Sequence, residues 1–203
     1  VTAPIVTARL TLIAHAPTRA QRDATFPRVD EAAEEAGLAQ AARMSAGRTP
    51  RKVDRLWTAP ERRTRQTADR LAAPLGLEIA AEPAPCDLDV GAWQGRSLAD
   101  LSATEADGVA AWLSDPEARP HGGESLAQLR ARVAAWLETV PRDGHTLAIT
   151  HPAVIRMAVA QVLEAPPPAF WRLDITPLSL TDLRWNRRWT VRTTGVDLRD
   201  LQP

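Results

Sequence analysis

Residues 9–14, RLTLIA, hold an unbroken apolar core of strand length, the pattern of a β-strand covered on both faces. The strand runs out into His15. In DEAAEEAGLAQAARM, residues 30–44, acids come early and Ala, Leu and Met recur at helical spacing. Carboxylates are favoured near the positive end of a helix dipole, so this stretch predicts a helix interrupted or capped near Gly37. VDRLWTA at 53–59 predicts a second strand, and PERRTRQTADRLAAPLG at 60–76 a helix with Pro60 in its first turn and Gly76 at its end. LEIAAEP at 77–83 reads as a short third strand before the turn-rich PAPCDLDVGAWQG. Helices follow over 98–114 and 125–140, the second opened by the serine or glutamate of GGES. HTLAITH, residues 145–151, is another apolar strand ending in histidine, and PAVIRMAVAQVL an apolar helix. RLDITPLSLTDLRWNRRWTVRTT, 172–194, alternates as late edge strands do, with a hairpin turn around Asn186. APPPAF, 165–170, reads as a turn or short connector, and the chain after Gly195 as a loosely held tail.

Strands alternating with helices predict an α/β domain with a mostly parallel sheet. A chain of 203 residues suits one well-buried core, and no internal repeat or low-complexity linker divides it. The expectation is one domain over 1–203, with 9–194 as its ordered core and 195–203 as tail. A hydrophobic fraction of 44% and a charged fraction of 25% exclude a disordered or fibrous class. No apolar run nears the roughly 18 residues that cross a bilayer, and VTAPIVTARL lacks the basic start and long apolar stretch of a leader. A cytoplasmic location without membrane association is expected. Cys86 is the only cysteine, which excludes an internal disulfide and offers no metal-cluster spacing; it reads as a packing residue. With 25 basic and 25 acidic side chains the net charge is zero, so nothing draws the chain generally to nucleic acid. A small ligand fits better. Lys52 is the only lysine, and with the many Ala and Pro this points to compositional bias, so an arginine alone is no sign of function.

Two strands end alike, TLIAH on His15 and LAITH on His151. Ligands of open α/β sheets sit outside the carboxyl ends of the strands, so both histidines are delivered to the site-bearing edge. The second strand delivers Thr58 and the cationic PERRTRQT to that edge. Two imidazoles and a guanidinium at one crevice make an anion site with a nucleophile: an unprotonated imidazole nitrogen can attack phosphorus, and arginine matches the fork of phosphate oxygens. A leaving alkoxide needs a proton, and CDLDVG offers Asp87 and Asp89. The other candidates read as bland. His121 in PHGGES lines a lid or sits in a surface loop, His145 is a solvated turn residue at the opposite edge, Arg62 and Arg65 are exposed flanks of Arg63, and the seven tryptophans, Trp112 and Trp136 among them, are core.

These residues resemble the histidine phosphatase superfamily, the phosphoglycerate-mutase-like phosphatases. LTLIAHAPT is similar to the family's opening strand and Arg-His-Gly-x-Thr, which makes His15 the phosphorylated nucleophile, with Thr18 following. APERRTRQTA looks like Ser-Pro-x-x-Arg-Ala-x-Gln-Thr-Ala, making Arg63 the phosphate-binding arginine. DLDVGAWQG is similar to Glu-x-x-x-Gly-x-Trp-x-Gly and puts Asp87 where the proton-donating acid lies. GGES resembles the Gly-Glu-Ser loop, bringing Glu124 and Ser125 to the substrate, and AITHPAVIR the second-histidine motif, with His151 on the phosphate and Pro152 behind it. Five motifs stand in order and spacing from about residue 9 to the final hairpin. The resemblance implies a three-layer α/β/α sandwich and a metal-independent phosphomonoesterase that uses no cofactor and acts on a small phosphorylated metabolite, as monomer or homodimer.

The chain departs from that pattern in informative places. Ala14 stands where the arginine before the nucleophile is expected; a charge-clamping arginine in phosphoryl transfer can be worth roughly 4 to 7 kcal/mol of barrier. Arg19 and Arg22 lie close enough to supply a guanidinium, and Gln21 a polar contact. Ala16 adds a methyl at the loop, and Pro152 removes a backbone donor after His151. Asp87 is one methylene shorter than glutamate, so either the leaving group sits closer or Asp89 helps. The short segment between Asp87 and GGES favours a phosphatase over a mutase. Two other readings are compatible with Ala14: a phosphate-binding homologue without turnover, and an enzyme using His15 as a base on an unphosphorylated substrate.

Overall fold

The computed structural model describes residues 7–47, 53–73 and 75–197. In chain order the elements are β1 (Ala8–Ala14), the single turn α1 (Arg19–Arg22), α2 (Glu35–Gly47), β2 (Arg55–Thr58), α3 (Arg62–Ala72), β3 (Ile79–Ala81), α4 (Leu98–Thr104), α5 (Ala106–Ser114), α6 (Leu126–Thr139), β4 (Gly144–Thr150), α7 (Pro152–Val162), β5 (Ser179–Asn186) and β6 (Arg188–Asp197). Short 3₁₀ turns occupy Gly91–Trp93 and Pro167–Arg172.

One six-stranded sheet in the order β3-β2-β4-β1-β5-β6 carries the domain, with β3, β2, β4 and β1 parallel and β5 and β6 antiparallel. The unbroken apolar character of β1 follows from its place inside the sheet, with both faces covered. Leu10, Leu12 and Ala14 point into a core shared with Leu129, Val133, Trp136, Ile155 and Ala158 of α6 and α7. Ile13 joins Leu56, Leu147 and Ile149 in a second core with α2 and α3. The result is the three-layer α/β architecture with a mixed, mostly parallel sheet.

Register decides where the chemistry emerges. β1 and β4 pair in parallel with Ala14 opposite Thr150, so the next residue of each strand, His15 and His151, leaves the sheet beside the other. The His15 N–H still donates to the Thr150 carbonyl at 3.0 Å. Thr58 of β2 lies opposite Ile149, and Ala81 of β3 opposite Thr58, so the loops that carry Glu61 and Asp87 start from this same edge.

Several local expectations are corrected. Gly37 lies inside α2, where a side chain would run into the Pro17 ring, so glycine here permits a close approach and does not end the helix. The helix expected over 98–114 divides at Glu105, whose carboxylate leaves the helical path to accept from the Trp93 indole at 3.0 Å and from Arg96. β5 is an inner strand, paired to both β1 and β6. The tail expected from Gly195 begins as strand, β6 running to Asp197; positions 198–203 of that tail, the amino-terminal residues 1–6 and Lys52 fall outside the described residues. His145 is buried, with Nε2 2.8 Å from Thr11 Oγ1 in a network that includes Asp182 and Arg9. His121 is neither on a lid nor on the surface: it is buried with its ring against Trp93 and Trp112. Arg62 and Arg65 are exposed as expected.

Candidate active site

His15 is 2% exposed. Its Nδ1 lies 2.7 Å from the Ala16 carbonyl, which can only accept, so Nδ1 carries the ring proton and Nε2 keeps a lone pair. The loop behind it is fixed by Thr67 of α3, whose hydroxyl accepts from Ala16 N at 2.9 Å and donates to the Arg63 carbonyl. The extra methyl of Ala16 packs into the second core. Burial above all, then the charges of His151 and Arg63, lower the His15 pKa to about 3. Its Nε2 therefore keeps its lone pair at neutral and mildly acid pH.

Around this imidazole lies a compact set of charges. His151 is fully buried, its ring centroid 5.2 Å from that of His15. Its Nε2 donates to Glu61 Oε2 at 2.8 Å, and its Nδ1 is 3.2 Å from Asp87 Oδ2, close enough for attraction but off the line of a hydrogen bond. Burial opposes a charge on His151, yet Asp87 and Glu61 raise its pKa above the ordinary histidine value. Arg63, 2% exposed on the first turn of α3, donates through Nη2 to Asp87 Oδ2 at 2.7 Å and through Nη1 to the Arg28 carbonyl at 3.1 Å. Burial pushes the Asp87 carboxyl up, but His151 and Arg63 together hold it well below the usual carboxylate range. Two buried donors beside His15, Arg63 Nε and His151 Nδ1, have no hydrogen-bond acceptor. Unsatisfied buried donors are costly, and a pair of them flanking a free lone pair marks where a ligand's oxygens belong.

Glu61 was read only as part of a helix start, yet it ties the cluster together. Its Oε1 accepts the Asp87 backbone N–H at 2.9 Å while Oε2 holds His151. The signal was an acid in the turn between a strand and a helix, at the edge that receives both histidines. Arg132 is a second unrecognised residue: it grips Glu124 in a two-pronged pair at 2.8 and 2.6 Å and donates to the carbonyls of Ala84, Cys86 and Asp87. Glu124 thus acts on the acid-bearing loop through Arg132. Ser125 caps α6 with Gln128, and Thr18 caps α1 with Gln21, so these polar residues are engaged in local backbone hydrogen bonds. Pro152 occupies the first turn of α7, where a missing N–H costs little. Asp89 is exposed, accepts from the Gly91 N–H and lines the cavity, whereas Asp87 is the aspartate that touches Arg63 and His151. The Arg19 side chain is 84% exposed and pairs with Asp23, and that of Arg22 is 67% exposed and pairs with Glu34. Both heads are held in these solvent-facing ion pairs, and neither lines the cavity beside Arg63 and Asp87.

The site opens into a cavity of about 300 Å³ walled by Glu61, Arg63, Asp87 and an apolar set that includes Phe26, Trp112, Phe170 and Trp171. Trp112 is therefore more than core, and so is Cys86, which also lines the cavity. Among the described residues no group of three or more His, Cys, Asp or Glu side chains is placed to hold a metal ion, and no helix is long and apolar enough to cross a membrane.

Residues 10–196 match the histidine phosphatase superfamily, branch 1. The chain belongs to that superfamily. Among curated relatives of this chain, phosphoserine phosphatase 1 of Hydrogenobacter thermophilus is 25% identical over 162 residues, covering 77% of this chain and 76% of that one. A bifunctional protein of Mycobacterium tuberculosis is 28% identical over 130 residues, covering 62% of this chain, and the match spans only 36% of that relative's length. The fold is shared with the α-ribazole phosphatase of Shigella flexneri, at TM-score 0.82 and 22% identity over 93% of this chain and 96% of that one. It is shared too with a mycobacterial glucosyl-3-phosphoglycerate phosphatase in complex with VO3, at TM-score 0.78 and 25% identity over 93% and 98% of the two chains.

Proposed function

We propose that this histidine phosphatase hydrolyses a small phosphomonoester, without a metal ion, through a phosphohistidine on His15. The observation that carries the reading is the free Nε2 of a buried, neutral His15 flanked by two buried donors without acceptors. Phosphoryl oxygens take over Arg63 and His151. Asp87, released from both cations, rises towards protonation and receives the proton that a monoanionic phosphomonoester carries, its second pKa being about 6. The Nε2 lone pair forms the N–P bond as the P–O bond to the alcohol breaks, and the Asp87 proton passes to the leaving oxygen. The Ala16 carbonyl holds Nδ1–H throughout, so the positive phosphoimidazole keeps an acceptor. Water then gives a proton to the Asp87 carboxylate and attacks phosphorus, the N–P electrons return to His15, and phosphate departs.

The test is acid-labile, alkali-stable label on protein quenched during turnover of ³²P-phenyl phosphate without added metal. Wild type should carry it and His15→Ala should not. No phosphate release and no vanadate binding by wild type would overturn the proposal, and tight vanadate binding without release would make the chain a phosphate-binding homologue.

A further inference from the structure

The loop that carries Asp87 runs beside the loop that leads into α6, and a histidine outside the phosphoryl cluster shapes their contact. The Ala92 N–H donates to the His121 carbonyl at 2.9 Å, and the Glu124 N–H to the Asp89 carbonyl at 2.8 Å. The backbones lie so close that a methyl on Gly91 would stand 2.2 Å from the His121 oxygen, and one on Gly123 2.1 Å from the Asp89 oxygen. Between these two anchor points the Gly123 N–H donates to His121 Nδ1 at 3.0 Å. A side chain that accepts from the amide two residues on closes the ring of an Asx turn, made here by an imidazole. Accepting at Nδ1 puts the ring proton on Nε2, which is buried without an acceptor. The ring lies in an aromatic slot, its centroid 5.1 Å from that of Trp93 and 6.4 Å from that of Trp112. Leucine would fill such a slot without an orphaned donor, so what histidine adds is the Nδ1 lone pair. Burial lowers the His121 pKa against the pull of Asp89, which keeps that lone pair available at neutral pH.

We infer that His121 is a positioning residue for Asp87: by holding the Gly123 N–H it gives 121–124 the shape that pins the Asp89 and Ala92 backbone, and so sets the Asp87 carboxylate against the leaving oxygen. The inference rests on the phosphatase reading for its last step. The same turn feeds a second hold on the acid, because Glu124 grips Arg132 and Arg132 donates to the Asp87 carbonyl. Proton transfer needs hydrogen-bond reach, and a misplacement of about 1 Å can cost about 10²-fold. The loss should fall on esters whose leaving oxygen requires the proton.

Two variants with the same amide head isolate the Nδ1 contact. His121→Asn keeps an acceptor for the Gly123 N–H, and His121→Gln carries it one methylene too far. The readout is kcat/KM for benzyl phosphate divided by that for p-nitrophenyl phosphate. His121→Gln should lower this ratio about tenfold and His121→Asn should leave it within about threefold of wild type. Equal losses on both esters in His121→Gln, or an asparagine variant no better than glutamine, would overturn the inference. Ring nitrogen shifts of wild type test it without any variant: His121 should carry its proton on Nε2, and a proton on Nδ1 rules out the Gly123 contact. The His151 titration separates the two proposals, since Asp87 raises it and no ester is needed to measure it. His121→Gln should lower that titration and His121→Asn should not. An unmoved His151 in His121→Gln overturns the positioning role, and a shift in a protein that turns over neither ester supports it while the phosphatase reading falls.

Discussion

Burying His15 as a neutral imidazole has a thermodynamic consequence that can be isolated. The folded pKa is lowered from 6.5 to about 3. In the unfolded chain His15 takes up a proton as pH falls through 6.5, while the folded protein refuses it until about 3, so the unfolded state binds more protons in that window and stability falls with falling pH. Over the full window the shift corresponds to about 5 kcal/mol at roughly 1.4 kcal/mol per pH unit, and by pH 4.5 about 3 kcal/mol of it is spent. His15→Gln keeps a side chain of similar size with no charge to gain. Urea unfolding of both proteins at pH 7.5 and pH 4.5 cancels every other titrating group, and the variant should gain about 3 kcal/mol relative to wild type between the two. In parallel, His15 ring carbons followed by NMR should show no protonation between pH 8 and 4. Equal acid losses in the two proteins, or a His15 midpoint near 6.5, would refute both the burial argument and the claim that the nucleophile is ready at neutral pH.

Four further outcomes follow from the same contacts. Glu61→Gln removes the anion holding His151 Nε2, so the His151 titration should move down and kcat should fall about 10- to 100-fold, measured by NMR and steady-state kinetics on one aryl ester. Arg132→Met unhooks the carbonyls of Ala84, Cys86 and Asp87, and should lower kcat about tenfold and stability by about 1 to 3 kcal/mol; Arg132→Lys, lacking the planar fork, should recover little of either. Asp87→Asn should slow an ester with a poor leaving group at least tenfold more than p-nitrophenyl phosphate, whose leaving oxygen needs no proton. The double variant Arg19→Ala and Arg22→Ala should alter kcat/KM by less than about threefold, because both heads pair with carboxylates in solvent; a larger loss would return a guanidinium to the phosphate.

What was legible in the chain and what was not divide along a physical line. Apolar strands ending in histidine announce themselves because burial on both faces and exit at the carboxyl edge are local properties, and parallel register then fixes His15 beside His151. Asp87 and Arg63 were legible as residue types that phosphoryl chemistry needs. Glu61 and Arg132 act on His151 and the Asp87 loop through contacts 26 to 90 positions away, and no local pattern reports those. Thr18, Gln21 and Ser125 look like ligand groups in a motif, and the hydrogen bonds the structure gives them run to backbone amides at helix starts. His145 and His121 are buried against expectation because β4 starts early enough to include His145, and the loop carrying His121 packs its ring against tryptophans.

Glu61 also bears on Ala14. Ala14 is fully buried among Leu10, Leu12 and Ile155, so the strand position before the nucleophile contributes packing and no charge. In the proposed mechanism a phosphoryl group on His15 then meets one guanidinium among the described residues, Arg63. An ordinary histidine as second clamp would be mostly neutral at pH 7 and would donate one hydrogen bond without a charge. Glu61 on Nε2 and Asp87 near Nδ1 raise the His151 pKa against burial and so favour its protonated form, and in the proposed mechanism Glu61 stays in place when the phosphoryl group displaces Asp87. The resting cluster is close to neutral, Arg63 and His151 against Asp87 and Glu61, so an incoming monoanion that leaves its proton on Asp87 replaces that carboxylate's charge where a more cationic site would simply add the anion. Exchange is what frees the acid. In our reading the second fixed positive charge of this site is therefore an imidazolium maintained by Glu61, and the arginine expected at position 14 has no role left to fill.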